Sequence, residues 1–358
     1  MAIGLPDLDI QFKKLAVTAV QRSAKGIVAL IVKDATDNTY AVKEYQSALA
    51  IETAKFTATN AKYIQQIFDG GAARVIVVPI NPTSSSVVPD AIAAIGSRKY
   101  NWIGLAEGAV ADQTALVTYL KSPEAKKKSI KGVVFNATSP DSERVVNFTN
   151  THVTYVGGTK VTGEKYIARL LGVLAGLPLT RSSTYYNFPD LIGVTEPADV
   201  NAAVEAGKFV LFNDNDTIRV ARGVNSLVTL SPTVSEEQKK IIITETMDTI
   251  RNDVTGLWKD FIGKWKNSYD NQVLLNTAIN VYFEQLELED VLDEEYDNKA
   301  YVDVNAQRLA WQAIGKTEAA DWDDDTARVK TLGSKVFLAA SIKLLDAMED
   351  LQFNIELQ

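Results

Sequence analysis

Four short runs limit this chain most: GIVALIV (26–32), RVIVVPI (74–80), WIGLA (102–106) and IKGVVF (130–135). Each is continuous and mostly β-branched, with no polar face to turn toward water. Strands of that kind must be covered on both sides, which is the situation in parallel sheets flanked by helices. The intervening segments carry helical spacing. Ile64, Ile67 and Phe68 share a stripe behind Asn60, a candidate cap, and Gly70-Gly71 stops it. Leu116, Tyr119 and Leu120 follow Asp112 in the same way, and EKYIARLLGVLAG (164–176) ends at Gly176 and Pro178. Strands alternating with helices imply an α/β domain with a mostly parallel sheet.

Beyond about residue 200 the pattern changes. KFVLFNDNDTIRVARGVNSL reads as a hairpin, with strands near 208–213 and 217–223 around Asp214-Asn215-Asp216. Ser235 and Gln238 have capping-box spacing, while Ile241, Ile242 and Ile243 form a β-branched run compatible with a strand. Met247, Ile250, Val254, Leu257, Phe261 and Trp265 then fall on one helical stripe. Leu275, Ile279, Tyr282 and Leu286 fall on another, over about 270–290. Trp258 and Trp265 are expected in a core with lysines at its edge. The expected layout is an N-terminal arm (1–22), an α/β domain (23–200), an α+β domain (201–345) and a C-terminal arm (346–358).

The ends are the unusual part. Leu8, Ile10 and Phe12 alternate with polar residues near the start, and Leu351, Phe353, Ile355 and Leu357 alternate with Gln352, Asn354 and Glu356 at the finish. Each is a strand with one apolar face, placed where chains usually fray. VFLAASIKLL (336–345) precedes the last one, but the link Asp346-Ala347-Met348-Glu349-Asp350 lacks the Gly, Asn or Pro of a tight turn. Seven extended residues span roughly 23 Å at about 3.3 Å each, enough to reach another molecule. Two outcomes stay open: the ends fold onto their own sheet, or they add to a neighbour's.

Charge is uneven. The net charge is −8, yet residues 284–325 alone carry fourteen carboxylates against three basic side chains. Arg328, Lys330, Lys335 and Lys343 follow with no acid among them. Such asymmetry suits either a solvated acidic face or an oriented subunit contact.

Signs of catalysis are weak. There is no cysteine, and the one histidine, His152, lies in the strand-like THVTYV, with no serine in a nucleophile-elbow context. No glycine loop stands between a strand and a helix as a phosphate cradle does. In DWDDD (321–325) the aspartates have calcium-loop spacing, but Thr326 and Leu332 stand where glycine and glutamate are needed. That segment is read as a helix start. No catalytic residue, metal or cofactor is expected, nor nucleic-acid binding or a membrane span. Absence of cysteine and of a leader-like start fits a cytosolic setting.

The opening MAIGLPDLDIQFKKLA, IRVARGVNSL (218–227), KNSYDNQVLL (266–275) and GSKVFLAASIKLLDAMEDLQFNIEL resemble the tail sheath proteins of contractile bacteriophages. The likeness is greatest to the short form in Gram-positive prophages and phage-tail-like (R-type) bacteriocins. It implies a non-enzymatic subunit, assembled in the bacterial cytoplasm into six-subunit rings stacked helically around an inner tail tube, with baseplate and tail terminator proteins as further partners. It implies strand exchange between neighbours through residues about 3–13 and 351–357. By position it implies tube contacts at Arg328 and Lys330. Glu294, Glu295, Asp323 and Asp324 are expected at a subunit contact that changes on contraction. The competing readings are a cytosolic α/β enzyme holding an anion at Ser84, Ser85 and Ser86, and a static tube or shell protein.

Overall fold

The computed structural model describes Arg22, residues 24–37 and residues 39–357. Strands run, in chain order, at β1 Ile27–Lys33, β2 Lys43–Tyr45, β3 Arg74–Ile80, β4 Trp102–Leu105, β5 Lys131–Phe135, β6 Val145–Phe148, β7 His152–Tyr155, β8 Lys160–Thr162, β9 Leu191–Val194, β10 Lys208–Phe209, β11 Leu211–Asp214, β12 Thr217–Val220, β13 Lys299–Val302 and β14 Leu338–Ser341. Helices run at α1 Ala58–Asp69, α2 Val87–Ile95, α3 Val110–Leu120, α4 Pro123–Lys127, α5 Ile167–Gly176, α6 Val200–Glu205, α7 Ile241–Phe261, α8 Tyr269–Leu288, α9 Val304–Ala313 and α10 Asp324–Val329.

These elements form two compact units. The larger comprises residues 24–252 and 344–357, and the smaller residues 253–343 with Arg22. The break in pattern near 200 is therefore not the boundary between units, because β10, β11, β12 and the first half of α7 all belong to the larger one.

The larger unit is built on a seven-stranded sheet, ordered β10-β6-β5-β4-β1-β3-β2, parallel except for β2. The four apolar runs are its central strands. On β1, Val28, Leu30 and Val32 enter one core with Ile64 and Ile67 of α1 and Leu170, Leu171 and Leu174 of α5. Ile27, Ala29 and Ile31 enter a second core with Val88 and Ala91 of α2 and Leu116 and Leu120 of α3. Each such Val, Leu or Ile side chain contributes about 1.5–3 kcal/mol by burial, so a polar residue on either face of β1 is costly. The glycine of GVLAG has a packing role: a methyl group on Gly172 would collide with the Ile67 carbonyl where α5 crosses α1.

Several local expectations change. Thr57, not Asn60, caps α1; its hydroxyl accepts the Asn60 N–H, while buried Asn60 donates to the Asp34 carboxylate at 2.7 Å. Asp112 sits inside the first turn of α3 and accepts the Ala109 N–H at 3.0 Å. Residues 208–209 join the edge of the main sheet, so the hairpin is shorter, β11 to β12, turning on Asn215 and Asp216, both at positive φ. Ser235 leads a short 3-10 turn without a side-chain cap, and Ile241, Ile242 and Ile243 open α7 as a buried helical turn instead of a strand. Trp265 lies past the end of α7, about half exposed and stacked on Phe261. With Trp258, Ile262 and Leu275 it lines an open groove of about 620 Å³, not a closed core.

The smaller unit holds the second half of α7, α8, α9, α10 and the two-stranded β13–β14 ladder. Leu275, Ile279, Tyr282 and Leu286 of α8 are buried, as their spacing requires. Val336, Phe337 and residues 342–345 of the expected long strand lie outside β14.

Candidate functional site

The features expected of an enzyme find ordinary structural roles. Ser84 donates to Asp90 at 2.8 Å and accepts the Ser86 N–H at 3.0 Å, so the serine loop is engaged with the start of α2. His152 is half-buried on β7, its Nδ1 3.3 Å from the Thr151 hydroxyl. Asp323 caps α10 by accepting the Thr326 N–H at 2.7 Å, which makes DWDDD a helix start. Among the described residues, no group of three or more His, Asp or Glu is arranged to hold a metal.

One buried charge cluster lies between β5 and α7. Lys131 on β5 and Arg144 both contact Asp248 of α7, and Lys131 lies 3.0 Å from Glu245. Burial alone would raise the Asp248 carboxyl, yet Lys131 and Arg144 hold it below its ordinary 3.8. Burial would likewise lower Lys131, but Glu245 and Asp248 push it above 10.5. The opposite charges neutralise one another and fasten α7 to the sheet.

The unusual surface begins at the C-terminal segment. Asp346-Ala347-Met348-Glu349-Asp350 is not a turn but an ionic root on the larger unit. The Glu349 side chain, 4% exposed, accepts the Ser182 hydroxyl at 3.0 Å and the Thr184 hydroxyl at 2.6 Å. Arg222 and Lys240 lie 3.3 and 3.1 Å from its other oxygen. Asp346 pairs with Lys240 at 2.5 Å and Asp350 with Arg222 at 2.5 Å. Burial would lower the Lys240 ammonium, but Asp346 and Glu349 raise it above its ordinary value. Immediately beyond this root the chain leaves the surface. Leu351, Phe353, Ile355 and Leu357 are 70–94% exposed, and no ladder joins residues 351–357 to the rest of the described chain. Of the two outcomes left open for this end, folding onto its own sheet does not occur here.

At the other end, Leu8, Ile10 and Phe12 lie outside the described residues. Arg22, the first residue described, is anchored in the smaller unit. Its guanidinium meets Glu289, lies 3.5 Å from the buried Asp253 carboxylate, and sits 5.3 Å from the centre of the Tyr282 ring.

The charged residues singled out by sequence are spread over the smaller unit. Glu294 and Glu295 are exposed between α8 and β13. Asp323 is occupied as a helix cap, and Asp324 pairs with Arg308 at 2.5 Å. Arg328 of α10 pairs with Asp325 at 2.6 Å, and the Lys330 ammonium lies over the Trp322 ring, 5.6 Å from its centre. Arg328 is therefore substantially neutralised locally, while Lys330 is exposed.

Sequence reading missed the Glu349 root, because its partners lie more than a hundred residues away along the chain. Its one local signal is three acids on a five-residue link that has no glycine or proline.

Comparison with known proteins gives a consistent result. Residues 57–226 match the phage tail sheath protein central domain and residues 233–358 the phage tail sheath C-terminal domain. The tail sheath protein of Clostridium phage phiCD119 is 30% identical over 366 residues, covering 99% of each chain. Among solved structures, the sheath tail protein of Desulfitobacterium hafniense superposes with a TM-score of 0.69 at 15% identity, over 83% of this chain and 94% of that one. The helical sheath of the anti-feeding prophage in its contracted state gives a TM-score of 0.70 at 14% identity, over 99% of both chains.

Proposed function

The chain belongs to the phage tail sheath family and is a structural, non-enzymatic protein; on that premise we propose that it is the repeating subunit of a contractile sheath. Six copies form a ring, rings stack helically around an inner tail tube, and the lattice shortens to drive the tube through a target envelope. The observation that carries this reading is the exposed C-terminal segment. Four apolar side chains on one face of an extended stretch stand in water, directly after a root tied by ion pairs. That is a costly arrangement for a lone subunit and a sensible one for a connector, because strand addition satisfies main-chain groups and covers apolar side chains together.

In this reading residues 1–22 and 346–358 are arms. The residues around 3–13 and 351–357 insert as strands into neighbouring subunits and keep the lattice joined while the units reorient. The energy of contraction comes from subunit contacts that improve slightly at every copy, and charge complementarity is suited to that task. Glu294 and Glu295, both exposed, are the acids best placed to take part. Lys330 is the better candidate of the two basic residues for the tube, with Arg328 already paired. Baseplate and terminator proteins would complete the particle.

Electron microscopy of the purified full chain, alone and mixed with its tube protein, tests the proposal. Hollow tubes wider than the bare tube are expected. Compact monomers or dimers under both conditions would sink it.

A further inference from the structure

A contact made by Glu294 and Glu295 needs a receiving surface, and the smaller unit carries a suitable one. The open groove of about 620 Å³ lies where α7 ends and α8 begins, and Gly333, Ser334 and Val336 complete its lining. Asn267 holds these pieces together: its Nδ2 donates to the Gly333 and Lys335 carbonyls, both at 2.9 Å. Phe261 and Leu275 are buried at the base, whereas Ile262 and Trp265 are 54% and 45% exposed. Stacking on Phe261, with ring centres 5.8 Å apart, holds the Trp265 indole in place.

Charge narrows the kind of partner. Lys266 lines the groove, and exposed Lys259, Lys264 and Lys335 flank other lining residues in sequence, against only Asp260 and Asp270. Lys264 lies 3.6 Å from Asp260, a surface pair too weak to commit either side chain. An apolar groove with a basic rim fits an apolar side chain surrounded by carboxylates.

The chain presents that pattern at the other end of α8. Residues 284–297 hold eight carboxylates and no basic side chain. In their midst Leu288, the last residue of α8, is 87% exposed. Asn298 Nδ2 donates to the Glu287 carboxylate and to the Asp293 carbonyl, both at 2.7 Å. The loop carrying Glu294 and Glu295 is thereby folded against the last turn of α8, and acids and leucine form one knob. Groove and knob stand apart by the length of the helix, roughly 25 Å from Asn271 to Leu288 at about 1.5 Å per residue. A subunit cannot fill its own groove across that span, but a second copy can. Because the two surfaces differ, the contact is head to tail, and such contacts propagate into rings or helical stacks.

Resting on the reading of the chain as a sheath subunit, we infer that the α7–α8 groove of each copy receives the acidic end of α8 from the next. Leu288 seats against Ile262 and Trp265, and Glu294 and Glu295 face Lys264 and Lys266. Burial of the leucine and the indole supplies attraction, and the opposed charges fix direction.

Charge reversal tests the contact, since the opposing groups lie on different surfaces of one chain. Lys264→Glu with Lys266→Glu, and separately Glu294→Lys with Glu295→Lys, should each raise the concentration needed for tubes at least tenfold, with the melting temperature preserved. Mixing the two variants one to one should restore tubes, because the acidic groove of one then fits the basic knob of the other. All four changes in one chain should restore them as well. Sedimentation of the same samples at high concentration reads the contact without requiring tubes. Tubes that either reversal leaves intact would overturn the groove assignment alone. So would reversals that block tubes but are rescued neither by mixing nor by the fourfold variant, which would assign the lysines to another partner. A parent that forms no tubes, yet self-associates with this pattern of loss and rescue, would overturn the sheath reading and keep the contact. A parent that does neither would overturn both.

Discussion

Two regions of this molecule invert the usual placement of residues, in opposite senses. Around Asp248, charged side chains lie inside: Lys131 and Asp248 are 3% and 5% exposed. Along 351–357, large apolar side chains lie outside. The first inversion is compensated within the chain, since every charge there has an opposite partner. The second has no compensation among the described residues, and in the proposed sheath another molecule would supply it. On the proposed reading, buried charge concerns how one subunit holds together, and exposed apolar surface how subunits would hold each other.

The contrast can be broken most forcefully at Asp248. Asp248→Asn leaves Lys131 and Arg144 buried without their shared anion, and should destabilise the subunit by about 3–5 kcal/mol, read by denaturant unfolding. A loss under about 1 kcal/mol would mean that the cluster is solvated in solution.

The same cluster gives a pH signature. The Asp248 carboxyl is held below 3.8 in the fold, so its stabilisation is present above that value and drains away as the pH falls through the lowered one. Lys131 is held above 10.5, so its stabilisation is complete below that value and is lost as the pH rises through the raised one. Melting temperatures should therefore fall at both extremes for the parent. Lys131→Met should lack the alkaline part; an unchanged alkaline limb would assign that loss to other groups.

At the arm root the effect is smaller. Glu349→Gln keeps acceptors for the Ser182 and Thr184 hydroxyls but loses the charge facing Arg222 and Lys240. Amide exchange over residues 344–350 should speed up roughly fivefold, equivalent to about 1 kcal/mol, with β1 and β3 unaffected. Equal acceleration throughout the larger unit would make Glu349 a general stabilising residue and not a root.

Smallest of all, for the subunit, is the arm itself. Phe353→Ser with Ile355→Ser should shift the monomer's stability by less than about 0.5 kcal/mol while abolishing tubes. A clear drop in monomer stability would show that the segment packs at home in solution.

Much of the larger unit was legible because its central strands are apolar on both faces and its helices carry a clean stripe. β1, β3, β4 and β5 fall within a residue or so of the four runs. What was not legible depends on partners distant in sequence. Asn60 has the chemistry of a cap, but Asp34 claims its side chain and Thr57 takes the capping position. Ile241, Ile242 and Ile243 have strand propensity, yet burial against the larger unit makes them a helical turn. The apolar alternation of the C-terminal arm was visible, whereas its ionic root was not, since a carboxylate on a link looks the same whether solvated or clamped. The unit boundary also escaped notice, because α7 runs across it without any break in composition.

The order of elements near the C-terminus has a mechanical consequence. β14 ends at Ser341, and the chain joins the larger unit from Leu344, where Glu349 is clamped before the free segment begins. A tensile load on Leu357 enters the body through Ser182, Thr184, Arg222 and Lys240 before it can reach β14. The clamp would work as strain relief on a cable: in the proposed lattice, the connector could be pulled hard without unzipping the β13–β14 ladder behind it.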